Sequence, residues 1–432
     1  MTRTGARYGW PAGLWRALER RRPPLPRYRS PVRGPWLTAV LGLVLLVGMP
    51  VVVLTGLLDR VAYGSAPIPA DVGLLQLPPF DWPTSPAWLF RLTQGTHVLL
   101  GLVLVPVVLA KLWSVAPKLT AWPPARSLLD AVERVTVLLL VGSALFEIVT
   151  GLLNIQYDYV FGFSFYAAHY VGAWVFIGAL VAHVVLRFPA LRRGLRSRSL
   201  RVELRTPLAA TAPDPDVESE LVATDPLPPT ISRRGALALV GGGSLLVAGL
   251  SVGQVLDGPL RSTALLLPRG RTTAAADGGP NDFPVNRTFA ASGIDPAATG
   301  AAWRLELAGA RTVLLDRSAL AAMARHTVAL PIACVEGWST EQTWTGLPLR
   351  DLAALAGLPS PTSALVRSIE QGPFAAAELT AGQVLHPDAL LALRVNGADL
   401  SPDHGFPARI VVPALPGVRC TKWVGSIAFR GA

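Results

Sequence analysis

Five stretches of this chain are apolar for about 20 residues or more, the length at which a helix crosses roughly 30 Å of hydrocarbon. They run approximately over Trp36–Leu58, Leu89–Val115, Val135–Ile155, Phe163–Phe188 and Gly235–Leu256. The pattern predicts four membrane helices followed, after a gap, by a fifth. Composition supports this, since hydrophobic residues make up 51% of the 432 and charged ones 16%, an unusual balance for a soluble protein. A chain of this length has room for two or three domains.

Arginine placement orients the helices. "RALERRRPPLPRYRSPVRGP" precedes the first and "RFPALRRGLRSRSLRVELR" follows the fourth, and by the positive-inside bias both face the cytoplasm. The connection between the second and third carries Lys111, Lys118 and Arg126, whereas Asp59–Trp88 and Gln156–Gly162 hold aspartates and few bases. The net charge of +11 therefore reflects orientation in a lipid bilayer. Its arginines bunch beside apolar runs and form no basic face with interleaved aromatics, so no nucleic-acid partner is implied.

Thr206–Thr230, "TPLAATAPDPDVESELVATDPLPPT", is too polar and too rich in prolines to bury a core and reads as a linker. "ISRRGALALVGGGSLLVAGL" then joins Arg233 and Arg234 to a mildly apolar, glycine-rich helix. It reads either as a twin-arginine export signal inside the chain or as an ordinary fifth anchor with a basic flank. Either way everything after Asp257 lies outside the cytoplasm. The expected division is a cytoplasmic basic tail (1–35), a transmembrane four-helix domain (36–190), a disordered cytoplasmic linker (191–230), a signal-anchor helix (231–257), an extracytoplasmic linker (258–280) and an exported domain (281–432). "TTAAADGG" is a possible signal-cleavage site in the outer linker.

Of six histidines, His97, His169 and His183 fall within apolar spans, where ionisable groups are costly and usually functional. Neutral imidazole is a strong iron ligand. His97 and His169 lie near the outer starts of the second and fourth helices, at matching depth for the two axial ligands of one haem. His183 is 14 positions after His169, about 21 Å deeper on nearly the same helix face, which suits a second, stacked haem that lacks an evident partner ligand. Packing alone is the other reading of each histidine, and Glu147, mid-span in the third helix, receives no role. The segment from "FEIVTGLLNIQY" to "FYAAHYVGAWVFIGALVAHVVLRF" resembles the four-helix membrane cytochromes b of hydrogenases and formate dehydrogenases. That likeness covers about residues 36–190 and implies haem b and exchange of electrons with the quinone/quinol pool.

From Asn281 onward short alternating runs, "WRLELAG", "RIVVPAL" and "KWVGSIAFR", predict strands. "LPLRDLAALAG" and "PDALLAL" predict short helices, and "RVNGADL" a hairpin turning at Asn396-Gly397. The result is a mixed α/β domain of about 150 residues. Within it "PIACVEGWST" holds one of the chain's two cysteines. Three roles are open to Cys334: a disulfide with Cys420, a thiol nucleophile served by His404, or a thiolate ligand to a soft transition metal.

"ACVEGWS", "WTGLPLRDL" and "VNGADLSPDHGFPARIVVPALPGVRCTKWVGSI" resemble, in order, the motifs of the sulfite oxidase superfamily of molybdopterin enzymes. The nearest likeness is to the catalytic subunits of periplasmic protein-methionine-sulfoxide reductases. The resemblance spans nearly all of Asn281–Arg430 and implies a molybdenum-molybdopterin cofactor whose metal is ligated by Cys334. It implies pterin contacts at Asn281, Pro284, Val285, His404, Arg409, Gly417, Val418, Arg419 and Lys422. Pro284 and Val285 stand where the reductases carry an aromatic residue and an acid. Cations and backbone amides suit a pterin ending in phosphate or nucleotide, and Gly417 permits close backbone approach. Cys420 matches no family ligand and reads as buried filler. Val335, Glu336, Gly337 and Trp338 replace the glycine, asparagine and arginines that follow the cysteine in sulfite oxidases, which argues against sulfite; Trp338 is placed to shape the pocket instead.

The fold class expected is thus a membrane helical bundle followed by an exported, sulfite-oxidase-like α/β domain. The activity expected is a quinol-fed reductase of small-molecule or peptidyl sulfoxide-like substrates. The alternatives are an oxidase of sulfite or another small molecule, and a metal-free membrane scaffold.

Overall fold

The computed structural model describes residues 26–64, 80–122, 125, 127–155, 164–215, 219–266, 278–371 and 375–431. The "TTAAADGG" segment and most of the basic tail lie outside them or at their edge. Among the described residues five helices are long and apolar enough to cross a membrane. They are α1 (Pro35–Ala62), α2 (Leu89–Leu119), α3 (Leu128–Asn154), α4 (Phe165–Ser197) and α5 (Arg233–Gly249), the last continued after a turn by Val252–Leu256. Large apolar side chains such as Val47, Leu138, Val185 and Leu245 stand exposed on them. Exposed apolar surface of that extent suits helices solvated by lipid.

Contacts divide the chain into two compact units. The first comprises Met1–Val53, Leu100–Leu152 and Ala168–Ala248. The described residues of the segment expected as a linker include helical structure at their start. Helix α4 continues to Ser197, and a further helical turn covers Leu200–Glu203. Arg198 pairs with Glu203 at 2.6 Å and Asp214 at 3.6 Å, while buried Arg233 faces Glu203 at 3.5 Å and donates to the Pro31 and Ala212 carbonyls. Asp214, an acid of the segment read as a linker, thus faces Arg198 as a counter-charge, which composition alone does not distinguish. Arg234, the other member of the arginine pair, is exposed.

The second unit comprises Leu54–Leu99, Leu153–Ala167 and Gly249–Ala432. It is built on two five-stranded sheets. The first has the order β2-β1-β10-β5-β6, with β1 (Leu305–Ala308), β2 (Val313–Leu315), β5 (Ser363–Ser368), β6 (Ala376–Thr380) and β10 (Val424–Arg430). Its β1–β10 pair is parallel and the others are antiparallel. The second is antiparallel, β3 (His326–Ala333), β4 (Ser339–Pro348), β7 (Leu390–Val395) and β8 (Ala398–Asp399), with β9 (Arg409–Val411) also paired to β7. Ala62, Tyr63, Trp82 and Phe90 share one core with Leu305, Leu307, Leu352, Val366 and Ile427, so this unit takes in more of the chain than residues 281–432.

"RVNGADL" forms the expected hairpin: Val395 pairs with Ala398 across Asn396 (φ 50°) and Gly397 (φ 86°), both in the region a two-residue turn of this hand requires. "PDALLAL" corrects its prediction. Leu390–Val395 is a central strand whose Leu391 and Leu393 enter one hydrophobic core while Leu390, Ala392 and Val395 enter the other. A short run buried on both faces carries no period, so the pattern could not separate helix from strand.

Gly346 of β4 is required by the closeness of β7. A Cβ there would lie 2.0 Å from the Leu391 oxygen. Gly346→Ala is expected to destabilise the unit by about 3 kcal/mol, read as a lower thermal unfolding midpoint in detergent; an unchanged midpoint would contradict this packing.

Candidate active site

β3 ends at Ala333 and β4 begins at Ser339, and the turn between them is closed by its own backbone. The Cys334 N–H donates to the Trp338 carbonyl at 2.9 Å, and the Gly337 N–H donates to the Cys334 carbonyl at 3.0 Å. Gly337 adopts φ 84°, which glycine does without strain. The Trp338 indole N–H is satisfied by Glu336 at 2.8 Å, both side chains being buried. Cys334 is thereby fixed at 2% exposure.

A small cavity opens at this thiol. Pro284, Cys334, Trp338, His404, Arg409, Gly417 and Lys422 line it together with Phe283, Asn286 and Ile332. Gly417 arrives because its N–H donates to the Ala333 carbonyl at 2.8 Å; a Cβ there would press that oxygen at 3.2 Å. Arg409 is rooted on β9, donating to the His404 carbonyl and the Cys420 carbonyl, each at 3.2 Å, with its guanidinium 5.2 Å from the Trp344 ring centroid. Its Nε is buried without a hydrogen-bond partner among the described residues. Lys422 donates to the Arg287 and Asp403 carbonyls at 2.7 and 2.8 Å.

Burial lowers the pKa of Arg409 to about 10 and, with the neighbouring Arg409 charge, that of Lys422 to about 7. Two basic groups and no carboxylate line the cavity among the described residues. This environment favours an anion, whose arrival would restore full charge on the lysine. His404 stacks on Phe283 with ring centroids 3.6 Å apart, and its Nε2 bonds the Asn281 carbonyl at 2.9 Å. Burial, then the Arg409 and Lys422 charges, push its pKa down to about 3. A histidine so held is a poor base for a thiol, which removes the hydrolase reading of Cys334. Neither cysteine is in a disulfide and both are buried, and burial pushes the Cys420 thiol pKa up.

The remaining expected pterin residues lie outside the cavity lining. Asn281 supports it from behind, donating to the Asp399 carbonyl (3.0 Å) and accepting from the Ser401 N–H (2.9 Å). Arg419 lies outside that lining: its guanidinium donates to the carbonyls of Ala62 (3.3 Å) and Glu378 and to Gln383 Oε1 (3.3 Å). Val285 and Val418 are likewise not in the lining. Phe283 and Ile332 were missed because one aromatic and one aliphatic residue carry no chemical signature in sequence; only their strand and loop neighbours bring them here.

In the second unit the His97 ring lies against Gly56, where a Cβ would come within 2.6 Å of Cε1. In the first unit His169 Nδ1 is 3.1 Å from both Glu147 Oε2 and Thr150 Oγ1. A carboxylate at Nδ1 is how proteins fix a histidine that ligates a metal through Nε2. The Nδ1 of His183 is buried without a hydrogen-bond partner among the described residues.

Residues 292–432 match the family described as oxidoreductase molybdopterin binding domain. This part of the chain matches molybdopterin-binding oxidoreductase domains and is similar to those of sulfite oxidases. Similar proteins include a sulfite oxidase of Arabidopsis thaliana, 36% identical over 111 residues that cover 21% of this chain and 28% of that one. An uncharacterized oxidoreductase, YuiH, of Bacillus subtilis (strain 168) is 32% identical over 130 residues, covering 29% of this chain and 65% of that one. A nitrate reductase [NADH] of Volvox carteri is 35% identical over 96 residues, 19% of this chain and 11% of that one. The chain thus spans less than two thirds of the length of each. The molybdopterin domain's cavity fits its cofactor on its own terms: a buried thiol for a soft metal, two cations for an anionic pterin tail, and an unsatisfied guanidinium N–H.

Proposed function

We propose that this protein is a membrane-bound molybdenum-cofactor oxidoreductase that removes oxygen from small or peptidyl sulfoxide-like substrates on the extracytoplasmic side. Its electrons would come from quinol through a haem b with His97 and His169 as axial ligands. The observation that carries the reading is the cavity where buried Cys334 meets Arg409 and Lys422. When bound, molybdopterin supplies two-electron oxygen-atom transfer. The chain's own part is distinct. Cys334 offers the thiolate ligand, Arg409 and Lys422 neutralise the pterin's negative charge, His404 stays neutral and orients through Asn281, and Trp338 and Ile332 give the cavity apolar surface.

The relatives' names favour a second reading, oxidation of sulfite with quinone as acceptor. Metal analysis of the purified chain, with turnover of methionine sulfoxide and of sulfite against a quinol or quinone pool, tests both. Sulfoxide turnover with one molybdenum per chain is expected; sulfite turnover alone would select the second reading, and absence of molybdenum and haem the scaffold. His97→Ala is expected to abolish the b-type haem spectrum, whereas a retained spectrum would reject the ligand pair.

A further inference from the structure

The outer end of α1 carries two buried polar side chains with no part in the site described above. Asp59 is 3% exposed and Tyr63 is 7% exposed. The Tyr63 N–H donates to the Asp59 carbonyl at 3.0 Å, so the two side chains stand one helical turn apart on the same face. Neither Asp59 carboxyl oxygen nor the Tyr63 hydroxyl has a hydrogen-bond partner among the described residues. Thr93 of α2, whose hydroxyl faces the Asp59 carboxyl, donates to the Phe90 carbonyl at 3.2 Å. Arg60, the neighbouring cation, directs its guanidinium to the Gly64 carbonyl, and His97 lies a turn back, against Gly56. The Tyr63 ring stands edge-on to Phe90 and Tyr166, with centroids 5.8 and 5.2 Å away. It shares its hydrophobic core with Ala333, and Val335 packs against that core, so both chain neighbours of Cys334 belong to the same packing. Gln94, the residue after Thr93, donates to the Val335 carbonyl at 2.9 Å and fixes this part of α2 to the Cys334 turn. All of these residues lie in the second unit.

From this arrangement we infer that Asp59 and Tyr63 are a proton-delivering pair for the Cys334 site, joined by a buried water. A carboxylate buried without a donor or a cation is an uncompensated charge, so Asp59 is held as the neutral acid. Tyr63 keeps its proton as well: burial, then the neighbouring Tyr166, Asp59 and Cys334, push its pKa up. Orphaned oxygens on adjacent turns are costly if packing is their only role. One water between them satisfies both and completes a path. A phenol can donate and accept at one oxygen, so Tyr63 can release a proton toward the cavity while taking one from behind. The inference rests on the reductase reading above. Removal of the substrate oxygen turns a sulfoxide into a sulfide and water, consuming two electrons from the quinol and two protons. Tyr63 gives its phenolic proton to the departing oxygen and regains one from Asp59 through the water. The Asp59 carboxylate is then reprotonated from solvent, and a second pass supplies the second proton.

The test uses the full-length holoenzyme with Asp59→Asn and Tyr63→Phe made separately. Both substitutions keep the shape of the side chain and remove its transferable proton, so molybdenum content and the unfolding midpoint are expected to stay at wild-type values. Infrared spectra of the resting protein are expected to show the C=O band of a protonated carboxyl that shifts in D2O and is missing from Asp59→Asn. With methionine sulfoxide as substrate and reduced viologen as electron donor, kcat is expected to fall by about tenfold or more in each variant while KM stays within about twofold. Absence of that band would mean that Asp59 is ionised and would overturn the pair, as would wild-type kcat in both variants. Loss of molybdenum in step with activity would make the two residues supports of the fold and would overturn it too. A wild-type holoenzyme that turns over sulfite and not sulfoxide would refute the reductase reading itself, whatever the infrared band shows, and proton delivery would fall with it.

Discussion

Cys334→Ser is expected to leave the fold and most of the pterin in place while turnover falls by at least about a hundredfold. Loss of a residue that merely orients a ligand costs about 10–100-fold, and loss of the ligand itself should exceed that. The fold survives because the turn is held by the Cys334 N–H and carbonyl and not by its sulfur. A serine hydroxyl at 2% exposure adds about 1–3 kcal/mol of desolvation, within reach of a domain this well packed. Hard oxygen is also a poorer match than sulfur for a polarizable metal. X-ray absorption should therefore show one sulfur fewer at molybdenum in the variant. An unchanged sulfur count with unchanged turnover would remove Cys334 from the centre of the site.

Much of this was legible in the chain because the signals are local. Apolar length alone located all five long helices, and Asn396-Gly397 located its hairpin, since a two-residue turn constrains only its own dihedrals. Leu390–Val395 was misread because its identity is decided by two cores that meet only after folding. Asp214 is illegible for a related reason: it looks like a solvated acid until Arg198 is brought to it.

The site divides along the same line. Cys334, His404, Arg409, Gly417 and Lys422 come to one cavity from the β3–β4 turn, from β9 and from the segments flanking it. Arg419 shares the motif but not the cavity. Its guanidinium is drawn to the carbonyls of Ala62 and Glu378 and to Gln383, and the Ala62 partner belongs to a helix 357 residues earlier. The motif could not announce that competitor.

Arg409 is where stability and cofactor retention coincide most closely. Arg409→Met keeps much of the apolar volume but removes two donors from buried carbonyls, those of His404 and Cys420, and the cation stacked over Trp344. Unsatisfied buried acceptors cost about 1–3 kcal/mol each, so a loss of about 3–4 kcal/mol is expected. The cavity would then be left with Lys422 as its one described cation; burial would still lower that ammonium's pKa, while the lowering due to the Arg409 charge would be gone. Pterin content of the purified variant should fall far below stoichiometric, measured by fluorescence of the released, oxidised pterin. Arg409→Lys separates the two effects, because a point charge remains while the planar fork that reaches both carbonyls is lost. It should recover part of the pterin and little of the stability. If Arg409→Met kept full pterin content and its unfolding midpoint, the unsatisfied Nε would not face the cofactor. The electropositive cavity would then need another occupant.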